Sequence, residues 1–184
     1  MDPDSRGFRV SRLLPHISSV WPIVVRLLWG FAEATAFSIV PDVCLVRLAL
    51  LDWRQGFAAS VAVVAGAIAG DCLIFAIARA DPGGLDLVLV RMPPISRAMV
   101  DATGERVRLG GVASMMNDPF AAVPFKVYAD KAGELGVPPP LFLLIAVLAR
   151  VSRLLPGVLL AAGLGTALKR LVREHTPLLL GGYA

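Results

Sequence analysis

Apolar and polar positions fall in long blocks along this chain, and the two longest apolar blocks each follow a shorter block broken by proline and charge. The first broken block runs from Trp29-Gly30-Phe31-Ala32-Glu33 through Val40-Pro41-Asp42 to Arg47. The second runs from Gly110-Gly111 through Asn117-Asp118-Pro119 to Val123-Pro124-Phe125-Lys126. Long segments rich in small residues follow at Phe57–Ala80 and Leu141–Thr166. Proline removes a backbone donor and clashes with the preceding helical turn. Pro41-Asp42 therefore cuts Phe31–Leu51 into halves of about ten residues, too short to cross a hydrocarbon core of about 30 Å. A re-entrant helix–break–helix is predicted, its freed backbone shielded by protein or a wet cavity. Shifting the first half by 83 positions lays Pro41 on Pro124 and brings the starts of the long segments close together. Residue identity across the shift is slight. What repeats is the order of elements, as in transporters built from internal repeats.

The pattern predicts an all-α integral membrane protein with two broken re-entrant hairpins, each followed by a long transmembrane helix in an inverted-repeat-like order. Residues 1–15 read as a basic arm and 16–168 as the membrane domain, with halves at 29–80 and 109–168 and a polar linker at 81–108. Residues 169–184 read as a tail. The apolar helix over 17–31 fits either a short span or an interfacial position. Asp52–Gly56 reads as an interfacial turn, and the linker as one or two short surface helices. In the first long segment Ala58, Ala62, Gly66 and Gly70 recur every fourth residue, a spacing that lets two helices approach closely. In the second, Ala149, Arg153, Gly157, Ala161 and Gly165 share a face, and Pro156 predicts a kink.

Composition agrees: 57% of residues are hydrophobic, against ~45–50% in ordinary globular domains. A soluble helical domain would need polar helix faces, and Phe57–Ala80 has almost none. The net charge is +4, with Arg6, Arg9 and Arg12 before the first apolar stretch and Lys169, Arg170 and Arg173 after the last. Basic residues beside membrane segments favour the cytoplasmic side, so both termini are expected there. The charge flanks apolar spans and forms no separate basic face, so no nucleic-acid partner is expected. The N-terminus imitates a signal peptide, but Pro15, His16, Pro22 and Arg26 interrupt it, and it reads as retained. Cys44 and Cys72 are expected as buried free thiols. His16 and His175 lie near the ends, and no phosphate-binding glycine loop or CxxC is present. No enzyme chemistry, cofactor or metal is therefore expected.

In order and spacing, several of these segments resemble the DedA / SNARE-associated Golgi protein (VTT domain) superfamily, and its YqaA-like branch in particular. They are Phe31-Ala32-Glu33 with Pro41-Asp42, Gly66-xxx-Gly70-Asp71, Val123-Pro124-Phe125-Lys126-Val127-Tyr128 with Ala132-Gly133, and Ala149-Arg150-Val151-Ser152-Arg153. The resemblance covers roughly residues 25–168. Asn117-Asp118 stand where many relatives carry an arginine, and Phe75 stands where a tyrosine is usual. The resemblance implies a polytopic protein of a bacterial inner membrane whose hairpins meet near the midplane. It also implies movement of phospholipid or undecaprenyl phosphate between leaflets, in some members coupled to protons.

Ionised groups within a bilayer cost on the order of 3 kcal/mol on insertion scales, so they are expected to pair or to line a polar cavity. Glu33 and Asp42 are candidate proton-coupling carboxylates; Asp42 has a second reading as a helix cap. Lys126, Arg150 and Arg153 are candidates for binding a lipid phosphate, since an arginine fork matches phosphate geometry. Asp71, Asp118 and Asp130 are candidate structural ion-pair partners for these cations. The expected partners are membrane lipids with anionic head groups and protons, and a homo-oligomer stays open. A non-transporting scaffold and a small-ion transporter remain as alternative readings.

Overall fold

The computed structural model describes residues 7–37, 42–120 and 123–180, with side-chain surroundings for residues 21–37, 44–116 and 123–168. It is 85% helical, and no strand occurs among the described residues. In order come α1 (Gly7–Thr35), α2 (Asp42–Leu51), α3 (Trp53–Ala80), α4 (Asp86–Val90) and α5 (Arg97–Gly110). A 3-10 helix (Gly111–Phe120), α6 (Phe125–Glu134) and α7 (Pro139–Leu180) complete the chain.

The prolines punctuate as their chemistry requires. α2 begins one residue after Pro41 and α6 one residue after Pro124, and each is 10 residues long. Pro124 is extended, at φ −60° and ψ 134°. Other prolines do not break their helices: α1 runs through Pro15 and Pro22, and α7 runs through Pro156 for 42 residues. Each costs its helix one intrahelical hydrogen bond, and the helix nevertheless continues. The helix of α1 thus reaches into the basic arm, and α7 continues past the expected end of its span. The turn expected at Asp52–Gly56 shrinks to a cap. The Asp52 carboxylate accepts from the backbone N–H groups of Arg54 (2.9 Å) and Gln55 (3.4 Å), so α3 starts at Trp53.

Small residues set the helix spacing. A Cβ on Gly66 would overlap the Leu27 carbonyl of α1, and a Cβ on Gly30 would overlap the Val63 carbonyl of α3. One on Gly70 would stand 2.7 Å from Ala34 Cβ. The Gly66/Gly70 face therefore packs on α1, which answers with a glycine of its own. These pairs advance together, so α1 and α3 run parallel. Against α3, α7 runs antiparallel: Asp71 meets Arg150, and one turn on Phe75 stacks on Phe142 with ring centroids 4.2 Å apart. Gly165 of α7 packs on the Leu50 carbonyl of α2, and Gly133 of α6 packs on the Phe75 carbonyl of α3. The short helix of each half thus packs most closely on the long helix of the other half.

The main core joins Ile74 and Phe75 of α3, Phe125 and Tyr128 of α6, and Phe142, Ile145 and Ala149 of α7. The linker is more than a connection along the surface. Leu89, Ile95 and Val100 form a second core with Val127 of α6, and Val100, Thr103 and Val107 give α5 one buried face. With this cover, nine of the ten residues of α6, Phe125 to Gly133, are buried. Two helical segments are long and apolar enough to cross a membrane, Trp53–Ala80 and Pro139–Leu168. Their outward faces carry exposed Val61, Leu73, Leu144 and Leu160. Cys44 and Cys72 are free, but Cys44 is exposed and Cys72 half-buried, which corrects the expectation of two buried thiols. Cys44 lies on the face of α2 turned away from its Leu45 and Ala49, which are both buried.

Candidate functional site: a buried charge cluster

Where the broken segments approach α3 and α7, charged side chains from four helices converge. Arg150 of α7 holds Asp71 of α3 in a two-pronged pair: Nε donates to Oδ2 and Nη2 to Oδ1, both at 2.8 Å. Its Nη1 donates to Glu33 Oε2 of α1 at 3.0 Å. Its Cζ lies 5.4 Å from the centre of the Phe125 ring of α6. The paired fork is the strong form of a carboxylate–guanidinium contact, and an aromatic face adds attraction for the cation. Asp71 is fully buried and Arg150 is 5% exposed. Removing such ions from water costs several kcal/mol each, which only close pairing offsets.

Lys126, the second residue of α6, is the other cation. Its Nζ donates to the Phe37 carbonyl at 2.8 Å, and the residue is 1% exposed. Phe37 lies just past the end of α1, where a helix leaves carbonyls without intrahelical donors. The break in the first half thus supplies the acceptor, and the proline before α6 places the donor. Glu33, Asp71, Lys126 and Arg150 sum to zero formal charge. A hollow of about 220 Å³ lined by Trp29, Ala32, Glu33 and Phe37 opens beside the cluster, reaching it at Glu33.

A second cluster ties α4 to the far end of α6, outside the two long apolar helices. Lys131 Nζ donates to Asp86 Oδ1 and to Glu134 Oε2, the latter at 2.8 Å. Glu134 Oε1 accepts from the Gly83 N–H at 2.8 Å. Asp130 Oδ2 lies 3.3 Å from the same ammonium, yet neither Asp130 oxygen accepts an aligned hydrogen bond. Asp86, Asp130 and Glu134 present oxygens within 4.8 Å of one another, a spacing a metal ion accepts, and the cation among them is the Lys131 ammonium. Burial pushes the Asp130 carboxyl up to about 6 against the pull of Lys131, with Glu134 and Asp86 adding to the rise. For Lys131 burial acts against the charge, but hydrogen bonds to Asp86 and Glu134 outweigh it and raise its pKa.

The structure therefore brings together three residues singled out as proton or phosphate groups, Glu33, Lys126 and Arg150, and joins them to Asp71. Arg153 lies half-buried three residues further along α7, outside the four-residue cluster. Asp130 pairs with Lys131 and not with Arg150 or Arg153. Asp42 opens α2 and Asp118 sits in the 3-10 helix, but their side chains lie outside the described residues. The Phe37 carbonyl was missed because its role depends on where a helix stops, and no side chain advertises it. Lys131 was not singled out, although Lys131 and Glu134 stand at the (i, i+3) spacing of helical ion pairs. Comparison of the chain with family models, curated proteins and solved structures gives no match.

Proposed function

We propose that the protein is a membrane transporter that moves a lipid with an anionic phosphate head group, a phospholipid or undecaprenyl phosphate, between leaflets. The observation that carries this reading is the buried Arg150 fork, set among two carboxylates and Lys126 where both broken segments approach two long apolar helices. In this reading α3 and α7 span the membrane, while the α1–α2 and 3-10–α6 breaks form re-entrant hairpins of the DedA (VTT) kind. The parallel course of α1 and α3, and the opposite course of α7, put the start of α1 and the end of α7 on one side. The flanking arginines and lysines make that side the cytoplasm of a bacterial inner membrane.

The chemistry follows from the hydrogen bonds the guanidinium donates to Asp71 and Glu33. Asp71 occupies two donors, and Glu33 occupies Nη1. A proton delivered to Glu33 through its hollow removes the charge that holds Nη1. That donor and Lys126 then face the site as a pair of cationic groups for phosphate oxygens. Loss of the proton returns Glu33 to Arg150 and expels the anion. Arg153 and Asp42 remain candidates for contacts on the approach to the site.

The test is lipid movement between leaflets of proteoliposomes, with labelled phospholipid and undecaprenyl phosphate, with and without a pH gradient. Arg150→Ala is expected to abolish movement, Arg150→Lys to fail as a replacement because it lacks the fork, and Glu33→Gln to remove the response to the gradient. Arg153→Ala reports whether the second arginine contributes. The zero formal charge of the cluster favours a second reading, a scaffold whose intramembrane charges serve only structure. Folded wild type that moves no lipid, with stability restored by combining Arg150→Met, Asp71→Asn and Glu33→Gln, would establish the scaffold instead.

A further inference from the structure

The cluster at the far end of α6 carries more negative charge than its cation balances. Asp86, Asp130 and Glu134 surround one ammonium, a formal sum of −2 when all are ionised. The three carboxylates differ in surroundings. Asp86 and Glu134 are partly exposed, with side chains 23% and 18% accessible, and each accepts a hydrogen bond from Lys131. Glu134 also accepts from Gly83. Asp130 has a side chain 1% accessible and takes no aligned hydrogen bond on either oxygen. A buried carboxylate whose one cation stands 3.3 Å away, unaligned and shared with two better-placed carboxylates, is the member of such a group whose charge is most costly, and neutralisation is its way out.

Among the described residues, the other elements packed on α6 bring Asp130 no further cation. From α5 come Thr103, whose hydroxyl donates to the Met99 carbonyl, and Gly104 against the Lys131 chain. The charged residues of α5, Arg97, Asp101, Glu105, Arg106 and Arg108, are exposed. From α3, Arg79 donates to the Val137 carbonyl. Glu33, Asp71 and Arg150 surround the opposite end of α6, beside Lys126. Lys126 and Asp130 are separated by one helical turn, roughly 5–6 Å between Cβ atoms on one face.

We propose that Asp130 is a proton-binding site, loaded from the polar end of the molecule through the partly exposed Asp86 and Glu134. A proton on Asp130 reduces the cluster to a charge of −1 and removes its most deeply buried anion. The site is one turn from Lys126, so its occupancy changes the field at the central cluster. The proposal stands on the α4–α6 cluster alone and does not rest on the transport reading.

Infrared spectroscopy of the full chain in detergent, titrated from neutral to acid pH, tests it. A carboxylic acid band growing in the mildly acid range is expected, and Asp130→Asn should remove it. Asp86→Asn and Glu134→Gln each remove a neighbouring negative charge and leave more of the Lys131 charge to Asp130. Both should move the midpoint of that band to lower pH, by about one pH unit. These two sites are partly exposed, so they supply the answer even where Asp130→Asn does not fold. A band that survives Asp130→Asn, or a midpoint that neither neighbour variant moves, overturns the proposal.

Discussion

α2 and α6 are the same length, follow a proline at corresponding places and begin 83 positions apart, yet they live in different surroundings. Their inner stripes correspond. Leu45 and Ala49 of α2 answer Tyr128 and Ala132 of α6, and all four are buried. Their outer faces do not. Cys44 and Arg47 of α2 are exposed, whereas Val127 and Asp130, the residues that answer them in α6, are buried. The cause is the linker: α5 packs on α6, α4 reaches it through Leu89 and Asp86, and no described element covers α2 in that way. A repeated backbone plan thus gives two helices with one common packing stripe, and the cover over one of them makes room for buried charge. α2 contributes no described side chain to the central cluster, while α6 contributes Lys126 and the Phe125 ring.

The comparison breaks most sharply at charge. Arg150→Met leaves Asp71 and Glu33 buried without their cation and should lower stability by about 3–5 kcal/mol. Arg47→Met, on the exposed face of α2, should stay within about 0.5 kcal/mol. Denaturant unfolding in detergent measures both, and equal effects would refute the distinction. The close approach of α6 comes next. A Cβ added at Gly133 would stand only 2.5 Å from the Phe75 carbonyl oxygen, so Gly133→Val should cost about 1–3 kcal/mol. α2 has no glycine of its own; there the room is supplied by Gly56 of α3 and Gly165 of α7. Leu50→Val, at the position answering Gly133, should therefore cost less than Gly133→Val in the same assay.

Weakening the cover sharpens the comparison further. Val100→Ala should cost about 1–2 kcal/mol and raise amide exchange in α6 while leaving α2 unchanged. Exchange that rises equally in both helices would show that α5 does not set the difference. The smallest effect expected is that of pH. Asp130 titrates at about 6 in the folded protein and near 4 when unfolded, so the folded state holds the proton more tightly. The stabilisation is complete below about pH 4 and is lost as pH rises through about 6. Thermal unfolding should therefore shift upward on going from pH 7 to pH 5, and Asp130→Asn should flatten that part of the profile.

The breaks before α2 and α6 were legible because proline acts locally, through the missing donor at Pro41 and Pro124. The start of α3 was less so. The sequence reads Asp52 as part of a turn, whereas the two backbone donors its carboxylate accepts make it the cap of α3. An ion pair between Arg150 and Asp71 was one of several pairings open to the sequence, because the antiparallel course of α3 and α7 selects among three aspartates. The burial of α5 was hidden by its charges. Val100, Thr103 and Val107 make a narrow apolar stripe within a polar stretch, and its partner, Val127, lies beyond the second break.

The Arg150–Asp71 contact also orders events during biosynthesis. The two residues lie 79 positions apart, so α3 emerges long before its cation. At roughly 5–20 residues per second of synthesis, the interval is several seconds. The two-pronged pair of Asp71 therefore forms only once α7 has been made, so the close contact of α3 with α7 is among the last that the growing chain can complete.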